Sequence, residues 1–474
     1  MRIIITVFVI LLVACTKQNP QACCTDEADC MNVGLPVGTN CDDGLLCRGN
    51  RCVDEPCSSA GDCDITAPYC VMTDEGRCSE ACTADSQCPG FGQPDADKFC
   101  VAGSCAQCRA GMNDCPLDAP LCMDGRCVTC VAHADCATGV CANGTCASED
   151  EIAYVTTTGS TVSDCTRTSP CNTVERALIV GPARAYILID SGTYSSASQI
   201  SISGVRWFIG RGASRPVFTR STDGPIFATT GNAELKLEYL EIFGARGGTG
   251  ATMLGYGVSC DSNGANKLEL LDLVARMNAM SAVVARNCAV SASRSRFEDN
   301  ANLAFELTDG TATIDSCIVM RNAGGGLSLD GGTFTITNNI IARNPNTGIS
   351  LYTNNNGSRI DFNTIVDNGI ANGMTAGMNC NTINNSIVTA ANNILARNLP
   401  VQTTDQACTY PGSIIMGDIT DLKFKMPDAP PFDYHIQANS IAIDMGTVSA
   451  TKTDFDGEAR PFGPANDVGA DELH

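Results

Sequence analysis

Few residues in this 474-residue chain have types and spacing suited to catalysis. Asp309 and Asp330, with Glu306 nearby, could act as a general acid and base if two of these carboxylates face one bond within about 10 Å. Arg211 and Arg215 could act as a base beside carboxylates that hold calcium. Acidic residues on an exposed strand face are more often merely solvated, and the two arginines fit a corner between strands. We therefore predict no catalytic site and keep these residues as candidates.

Aromatic side chains could instead bind a sugar ring, because their faces offer a large apolar surface. Aromatics make up 5% of the chain, which has a single tryptophan. Trp207, Tyr256 and Tyr352 are the candidates, although packing is the commoner role for such residues. Asp454-x-Asp456-Gly457 could begin a calcium loop, but the remaining EF-hand spacing is absent. We therefore predict a capping turn there, no metal and no cofactor, with calcium needed only if the chain is a lyase.

The charge balance excludes one class of partner. The chain has 30 Lys and Arg against 52 Asp and Glu, a formal net charge of -22. This surplus repels phosphate backbones and anionic lipid headgroups at long range, so we predict no binding to nucleic acid. An anionic ligand would need a local basic pocket.

The N-terminus indicates export. Residues 3–13 form an apolar run that is too short to span a bilayer and suits the core of a signal peptide. The sequence Leu12-Val13-Ala14-Cys15 resembles a bacterial lipobox, in which the cysteine is lipidated and begins the mature chain. We therefore expect a signal peptide at 1–14 and a membrane anchor at Cys15, on a bacterial lipoprotein of the outer membrane or cell surface. The alternative is an ordinary secretory signal with Cys15 in a disulfide.

Cysteine usage changes sharply near residue 147, because 23 of the 30 cysteines lie between Cys15 and Cys146. The later ones repeat in four-cysteine units: Cys57, Cys63, Cys70, Cys78; Cys82, Cys88, Cys100, Cys105; Cys108, Cys115, Cys122, Cys127; and Cys130, Cys136, Cys141, Cys146. Units of about 20 residues cannot bury a stable core alone, so two disulfides per unit are expected, in a pairing order left open. We predict a disulfide-stapled stalk at 15–149; a peptide-binding role is the alternative.

Cysteine parity adds a constraint. Removing a lipidated Cys15 from 30 cysteines leaves 29, an odd number, so at least one thiol stays free or pairs between chains. Cys165 and Cys171 are expected to form a local disulfide. The odd thiol is expected to be a buried, inert member of the remaining five, which are Cys260, Cys288, Cys317, Cys380 and Cys408.

The second part of the chain repeats with a period near 22 residues. One column of the repeat is asparagine, at Asn278, Asn300, Asn322, Asn344, Asn368 and Asn398. Five residues earlier a small or amide residue recurs, including Asn339, Asn363 and Asn393. Alternating apolar residues follow each asparagine, as in Phe305 and Leu307, and this pattern predicts a strand with one buried face. Short strands at a fixed period predict a parallel β-helix, in which stacked amides donate to one neighbour and accept from the other. An antiparallel sandwich, the alternative, predicts no fixed period.

Residues 150–474 resemble the right-handed parallel β-helix proteins of the pectin-lyase-like superfamily. Residues 171–178, 186–189 and 191–194 are similar to that family's N-terminal capping helix, first strand and "GTY" turn. Residues 440–446, 454–461 and 467–472 resemble the closing motif of secreted proteins of the choice-of-anchor Q type. The resemblance implies an all-β solenoid with a capping helix at its N-terminal end and a closing motif at its C-terminal end.

The superfamily includes polysaccharide lyases and hydrolases. The Asn-Thr-Asp, Asp-Asp, His-Gly and Arg-Ile-Lys segments shared by its hydrolases do not occur in residues 150–474. We therefore predict a noncatalytic, lipid-anchored surface protein that displays a β-helix for adhesion, polysaccharide contact or envelope architecture. Its expected partners are the membrane and either a polysaccharide or a surface protein. A divergent polysaccharide lyase or glycoside hydrolase is the alternative.

Overall fold

A computed structural model describes the chain over residues 46–48, 51–53, 69–71, 77–79, 81–88, 97–112, 114–181, 183–248, 254–261, 266–352, 357–369, 376–381, 388–403 and 407–474. The predicted signal peptide and Cys15 lie outside these residues. The chain divides into two compact units, with the division between Ser148 and Glu149.

The N-terminal unit is a series of small antiparallel hairpins. The paired strands are Leu46–Arg48 with Arg51–Val53, Tyr69–Val71 with Arg77–Ser79, Phe99–Val101 with Ser104–Ala106, Leu121–Met123 with Arg126–Val128, and Cys141–Ala142 with Thr145–Cys146. Single 3-10 turns occur at Asp85–Gln87 and His133–Asp135. Each hairpin brings two cysteines directly opposite each other, as with Cys122 and Cys127.

Two disulfides staple each of the three four-cysteine units within the described residues. The pairs are Cys82–Cys100 and Cys88–Cys105, Cys108–Cys122 and Cys115–Cys127, and Cys130–Cys141 and Cys136–Cys146. In every unit the first cysteine therefore pairs with the third and the second with the fourth. The two cysteines facing each other across a hairpin are not bonded to each other; each ties its strand to the preceding loop.

The second unit is a right-handed parallel β-helix, as the repeat predicts. Its larger sheet has 18 strands, which are Ile152–Ser160, Tyr186–Asp190, Ile200–Arg211, Phe227–Glu238, Val258–Asp261, Lys267–Leu271, Val283–Arg286, Ala289–Ser293, Leu303–Thr308, Thr311–Asp315, Gly325–Asp330, Thr333–Thr337, Ile349–Tyr352, Arg359–Asp361, Ala376–Asn381, Val388–Ala391, Val401–Thr403 and Cys408–Thr409. From Val258 onward each coil contributes two of these strands, which bend away from each other at residues such as Asp309 and Gly310.

The third face of the β-helix is a parallel sheet of ten strands. These are Thr193–Ser196, Val217–Arg220, Glu241–Phe243, Val274–Arg276, Arg296–Glu298, Ile318–Met320, Ile340–Ala342, Thr364–Val366, Ile394–Ala396 and Ile414–Met416. A 3-10 turn at Glu149–Glu151 precedes the first coil, and another at Thr420–Leu422 precedes the final antiparallel pair, Phe424–Met426 with Asp433–Ile436.

Inward-pointing residues form continuous apolar columns, because the strands of successive coils pair in exact register. Phe305, Leu327, Ile349 and Met378 stand opposite one another on four neighbouring strands, and each is at most 1% exposed. The alternation predicted from the sequence is therefore the buried face of the solenoid. Parallel strands need this lateral burial, because no coil could bury its apolar face alone.

Each coil turns two of its corners through a residue in the left-handed region. The residues before the asparagine column have φ between 52° and 59°; they are Met277, Asp299, Arg321, Arg343, Asp367 and Arg397. A second set precedes the other column, with φ between 47° and 56°: Asp272, Arg294, Ser316, Asn338, Phe362 and Asn392. Such conformations cost on the order of 1–3 kcal/mol each in non-glycine residues, so the neighbouring contacts must hold them in place.

The asparagine column supplies those contacts as an unbroken amide ladder. From Asn278 to Asn398 each Nδ2 donates to the Oδ1 of the next asparagine at 2.8 to 3.1 Å, and the same Oδ1 accepts the backbone N–H of the previous one. Gln402 ends the ladder by accepting from Asn398 Nδ2 at 2.8 Å. A second ladder joins Asn339, Asn363 and Asn393 at 2.9 and 3.0 Å.

The N-terminal end of the β-helix has a short capping helix, Val174–Val180, whose first turn is capped by the Thr173 hydroxyl accepting from the Arg176 amide at 3.2 Å. A disulfide joins Cys165 and Cys171 beside it, as expected. Of the remaining five cysteines, Cys260 pairs with Cys288 and Cys380 with Cys408. Cys317 is the free, buried thiol among the described cysteines, and burial raises its pKa to about 12.

The C-terminal segment lies along the outer face of the ten-stranded sheet. In the last coils this sheet is buried on both faces, since Ile340, Ala342, Ile394 and Ala396 pack under a second apolar cluster. The covering residues come from the closing segment, residues 417–474, and include Leu422, Phe424, Tyr434, Ile436, Ala442, Val468 and Ala470. The closing motif therefore covers the side of the solenoid over its last coils.

A buried ion pair holds the closing segment together. Arg460 donates to Glu472 Oε2 at 2.8 Å and to the carbonyls of Asp467 and Gly469, and both charged side chains are fully buried. The guanidinium also lies over the ring of Phe362, with its central carbon 4.4 Å from the ring centroid. Glu472 accepts two backbone amides as well, so its carboxylate has the additional hydrogen bonds that a buried ion pair requires, while Arg460 Nε has no hydrogen-bond partner among the described residues.

Replacing Asn322 by alanine should lower the free energy of unfolding by more than about 2 kcal/mol. The truncation leaves the Asn300 amides, the Phe297 carbonyl and Asn344 Oδ1 short of a partner, and each buried group so left costs roughly 1–3 kcal/mol. Urea unfolding of the full chain followed by circular dichroism measures the loss.

Asn381→Ala is the matched control, because Asn381 is exposed at the end of a strand and should change stability by no more than about 0.5 kcal/mol. Equal urea midpoints for the Asn322→Ala and Asn381→Ala variants would show that the ladder contributes nothing measurable.

Candidate functional site

The outward face of the 18-stranded sheet presents a cluster that we call the aromatic patch: Tyr186, Trp207, Lys236, Glu238 and Glu269. Tyr186, Trp207, Lys236 and Glu269 stand in register on four neighbouring strands. Their strand neighbours Phe208, Leu237 and Leu270 point inward and are buried, so the pleat turns the patch residues outward. The register of the coils thus assembles a cluster from residues far apart in sequence.

Trp207 is half-buried at the centre of the aromatic patch. Its indole N–H donates to Glu238 Oε2 at 3.1 Å, and the ring centroid of Tyr186 is 5.8 Å away at an interplanar angle of 59°. Lys236 Nζ lies 3.7 Å from the indole centroid and 3.0 Å from Glu269. Lys236 thus covers one face of the indole, and the patch combines aromatic side chains with charged hydrogen-bonding groups, both of which can contact a sugar ring.

The two predicted arginines belong to ion pairs between coils. Arg211 contacts Asp190, its register partner on the adjacent strand. Arg215 donates to the side chain and the carbonyl of Asp272, and its guanidinium carbon lies 4.7 Å from the Tyr239 ring centroid. Arg215 and Tyr239 also line a shallow pocket with Glu241, which is paired with Arg276 at 2.7 Å. Arg211 thus links two adjacent coils, and Arg215 reaches past the next coil to the one after it.

The predicted acids lie further along the β-helix, in what we call the acidic patch: Arg286, Glu306, Asp330 and Tyr352. Asp330 is the register partner of Tyr352, and Glu306 is paired with Arg286 at 3.5 Å. Asp309 is next to this patch, at the bend between two strands, where its amide donates to the Asp330 carbonyl at 2.7 Å. Asp309 and Asp330 therefore do lie on adjacent coils.

The basic and acidic candidates are far apart. Trp207 pairs through Lys236 with Glu269, on the second strand of its coil, whereas Tyr352 pairs with Asp330 in the column formed by the first strands of the coils. The two residues therefore lie on different faces of the β-helix, six coils or about 29 Å apart along its axis. Arg211 is on the same strand as Trp207. Tyr256, the third aromatic candidate, precedes the strand Val258–Asp261 and is half-buried away from both patches, with its carbonyl accepting the Ile226 amide at 3.2 Å. The arrangement brings no arginine candidate to the acidic candidates.

Sequence reasoning missed Tyr186 and Lys236. The spacing between the patch strands is irregular in the first coils, so no fixed period links Tyr186, Trp207, Lys236 and Glu269. It also missed a group in the closing segment formed by His435, Asp456 and Asp471, whose side-chain ligand atoms lie within 4.8 Å of one another. Burial and neighbouring carboxylates raise the pKa of Asp471 to about 7, although His435 and the Ile436 amide act in the opposite direction.

Comparison with known proteins identifies the fold. A family model described as the right handed beta helix region matches residues 281–409. The structure is similar to pectate lyase Pel9A, with 16% identity, 68% of this chain and 96% of that chain covered, and a TM-score of 0.47. It is also similar to a rhamnogalacturonan lyase, with 13% identity, 61% and 95% covered, and a TM-score of 0.39.

The periplasmic alginate epimerase AlgG is a further similar structure, with 15% identity, 53% and 69% covered, and a TM-score of 0.29. A search among curated proteins finds no significant match. The family match and the paired sheets together assign a right-handed parallel β-helix. Among the described residues, no helix is long and apolar enough to cross a membrane.

Proposed function

We propose that the chain is an exported, lipid-anchored bacterial surface protein whose β-helix binds polysaccharide without cleaving it. The observation that carries this proposal is the aromatic patch, where Tyr186 and Trp207 lie side by side on the outward face of a long parallel sheet. Tyr352, which is 36% exposed, lies in the other strand column, beyond the bend, and is not part of this surface. An extended polysaccharide has the shape and the alternating apolar and hydroxyl surfaces to follow such a face.

The pairing of the arginine candidates supports binding over catalysis. A catalytic base must be within hydrogen-bond reach of the proton it removes. Arg211 and Arg215 instead contact Asp190 and Asp272, and strand spacing separates them from the acidic patch by several coils. Polysaccharide elimination by these arginines would require the ion pairs between coils to break first.

A specific observation supports a second candidate function, a divergent lyase or glycoside hydrolase. Glu306 and Asp330 are on adjacent strands of the acidic patch, with Asp309 at the neighbouring bend. Two carboxylates on adjacent strands are within the range that acid–base cleavage of a glycosidic bond requires. This patch, rather than the arginines, is therefore where cleavage would occur.

The anchor belongs to the same proposal. Cys15, in the lipobox-like sequence Leu12-Val13-Ala14-Cys15, would hold the chain at a bacterial membrane, with the disulfide-stapled units between it and the β-helix. The disulfides of residues 82–146 are consistent with an oxidising compartment outside the cytoplasm.

Trp207→Ala should weaken polysaccharide binding roughly 5- to 30-fold, the equivalent of losing one or two kcal/mol of ring contact. Because Trp207 is the chain's single tryptophan, the wild-type protein reports ligand at the patch through its intrinsic fluorescence. Affinity electrophoresis and calorimetry with acidic and neutral polysaccharides measure the affinity of the variant and of the wild type. Phe462→Ala is the control, since Phe462 is 57% exposed in the closing segment. Equal losses in both variants, or binding without a fluorescence change, would contradict the role of the patch.

Incubation of the full chain with the same polysaccharides, with and without calcium, should leave them uncut. New reducing ends and unsaturated products are measured together, because hydrolysis yields the first without the second. If either forms and Asp330→Asn or Glu306→Gln abolishes it, the chain is an enzyme and the acidic patch is its active site.

Cys15→Ala should release the protein from the membrane fraction of an expressing bacterium, since a lipid chain is its only proposed anchor. Mass spectrometry of the wild-type N-terminus should find a diacylglyceryl-modified Cys15. An unmodified Cys15, or a variant that stays with the membranes, would reject the lipid anchor without affecting the binding proposal.

A further inference from the structure

The closing segment gathers metal-ligating side chains from three separated stretches of chain. His435 is on the strand Asp433–Ile436, Asp456 is on the turn that follows Asp454, and Asp471 is near the C-terminus. Their ligand atoms, an imidazole nitrogen and two carboxylate oxygens, all lie within 4.8 Å of one another. We propose that His435, Asp456 and Asp471 bind a divalent transition-metal cation of the zinc type.

The histidine is oriented for this role. Asp433 contacts Nδ1 of His435, and the ring points Nε2 at Asp456 Oδ2, 2.9 Å away. A carboxylate on the far nitrogen of an imidazole fixes the tautomer and raises the basicity of the ligating nitrogen, as it does behind most metal-bound histidines. A cation bound here takes the place of the proton that Nε2 and Asp456 share.

Asp471 is the most buried member of the group. The residue is 7% exposed, and the one hydrogen bond that its carboxylate accepts within the described chain is from the Ile436 amide to Oδ2, at 2.7 Å. No described donor reaches Oδ1. Oδ1 of this carboxylate therefore has lone pairs available to ligate a cation.

Asp454 is excluded as a ligand by its own contacts. It is fully buried, and its two oxygens accept the amides of Asp456, Glu458 and Glu472 at 2.8 to 3.1 Å. It is thus a residue of the capping turn, the role expected for it from the sequence, and it holds Asp456 in position. The proposed site therefore differs from the calcium loop considered for this sequence, which would begin at Asp454 and use it as a ligand.

The ligand set also selects the metal. Calcium takes six to eight oxygen ligands, whereas an imidazole favours zinc, nickel or copper. With three protein ligands, a four-coordinate cation keeps one position for water. Asp456 is about half exposed, with 47% of its side-chain surface accessible, so water can reach the site. Such a cation ties the final strand, the capping turn and the C-terminus together over the ten-stranded sheet.

Titration of zinc chloride into the full-length oxidised protein, after treatment with a chelator and dialysis, tests the proposal by calorimetry. One equivalent should bind, His435→Gln should abolish this binding, and Asp433→Asn should weaken it roughly 10- to 100-fold. His474→Gln is the matched control, because His474 is in the same segment, 3.8 Å from Glu458 and outside the cluster.

Thermal unfolding provides a second readout in case a variant is destabilised by itself. Zinc should raise the midpoint of the wild type and of His474→Gln but not that of Asp456→Asn, whose exposed side chain can be changed without loss of the fold. Binding that His435→Gln leaves at wild-type strength would overturn the proposal, since thiols or carboxylates elsewhere would then hold the metal. So would the absence of saturable binding by the wild type.

Discussion

Each coil of this β-helix has to turn sharp corners without leaving a buried amide or carbonyl unpaired, and the asparagine ladders are what make this possible. Asn322 shows how: its Oδ1 accepts the Asn300 amide and side chain, while its Nδ2 donates to the Phe297 carbonyl and to Asn344. Every hydrogen-bonding group of that side chain has a partner in a neighbouring coil. The strained corner residue Arg321, which has φ of 55°, is held beside it.

Strand register determines what the surface looks like. Because successive coils pair in register, outward residues form columns as the buried ones do, and residues such as Trp207 and Lys236 become neighbours despite their distance in sequence. The same register gives the ten-stranded sheet an even outer face on which the closing segment packs. The buried Arg460–Glu472 pair then fixes the closing segment internally, since its hydrogen bonds join groups within residues 460–472.

The regular part of the fold could be predicted from the sequence because the residues of each structural column recur in it at a nearly constant interval. The asparagine column and the Phe305 and Leu307 alternation are visible at constant spacing, and the structure has both. Disulfide pairing order could not be predicted, because any order is compatible with the spacing of four cysteines. Of the aromatic patch, only Trp207 was predicted from the sequence. Tyr186 and Lys236 were missed because the first coils vary in length, so no fixed interval relates these residues to Trp207. His435 and Asp471 meet only when the closing segment folds back, a contact that no local pattern records.

The charged residues of the β-helix fall into pairs at the corners and pairs on the outward strand faces. At the corners, arginines bond carboxylates one coil away: Arg321 donates to Asp299 at 2.7 Å, and hydrogen bonding to that carboxylate raises the arginine's pKa well above its ordinary value. A carboxylate that accepts two bonds from a guanidinium has few lone pairs left to act as a base. Charges in the aromatic patch are paired across neighbouring strands beside a half-buried indole. The hydroxyls of the proposed ligand would join these pairs without breaking a corner contact, whereas recruiting a corner carboxylate such as Asp299 as a base would loosen the coils. Glu306 and Asp330 of the acidic patch are outward strand residues and are not tied into these corner pairs.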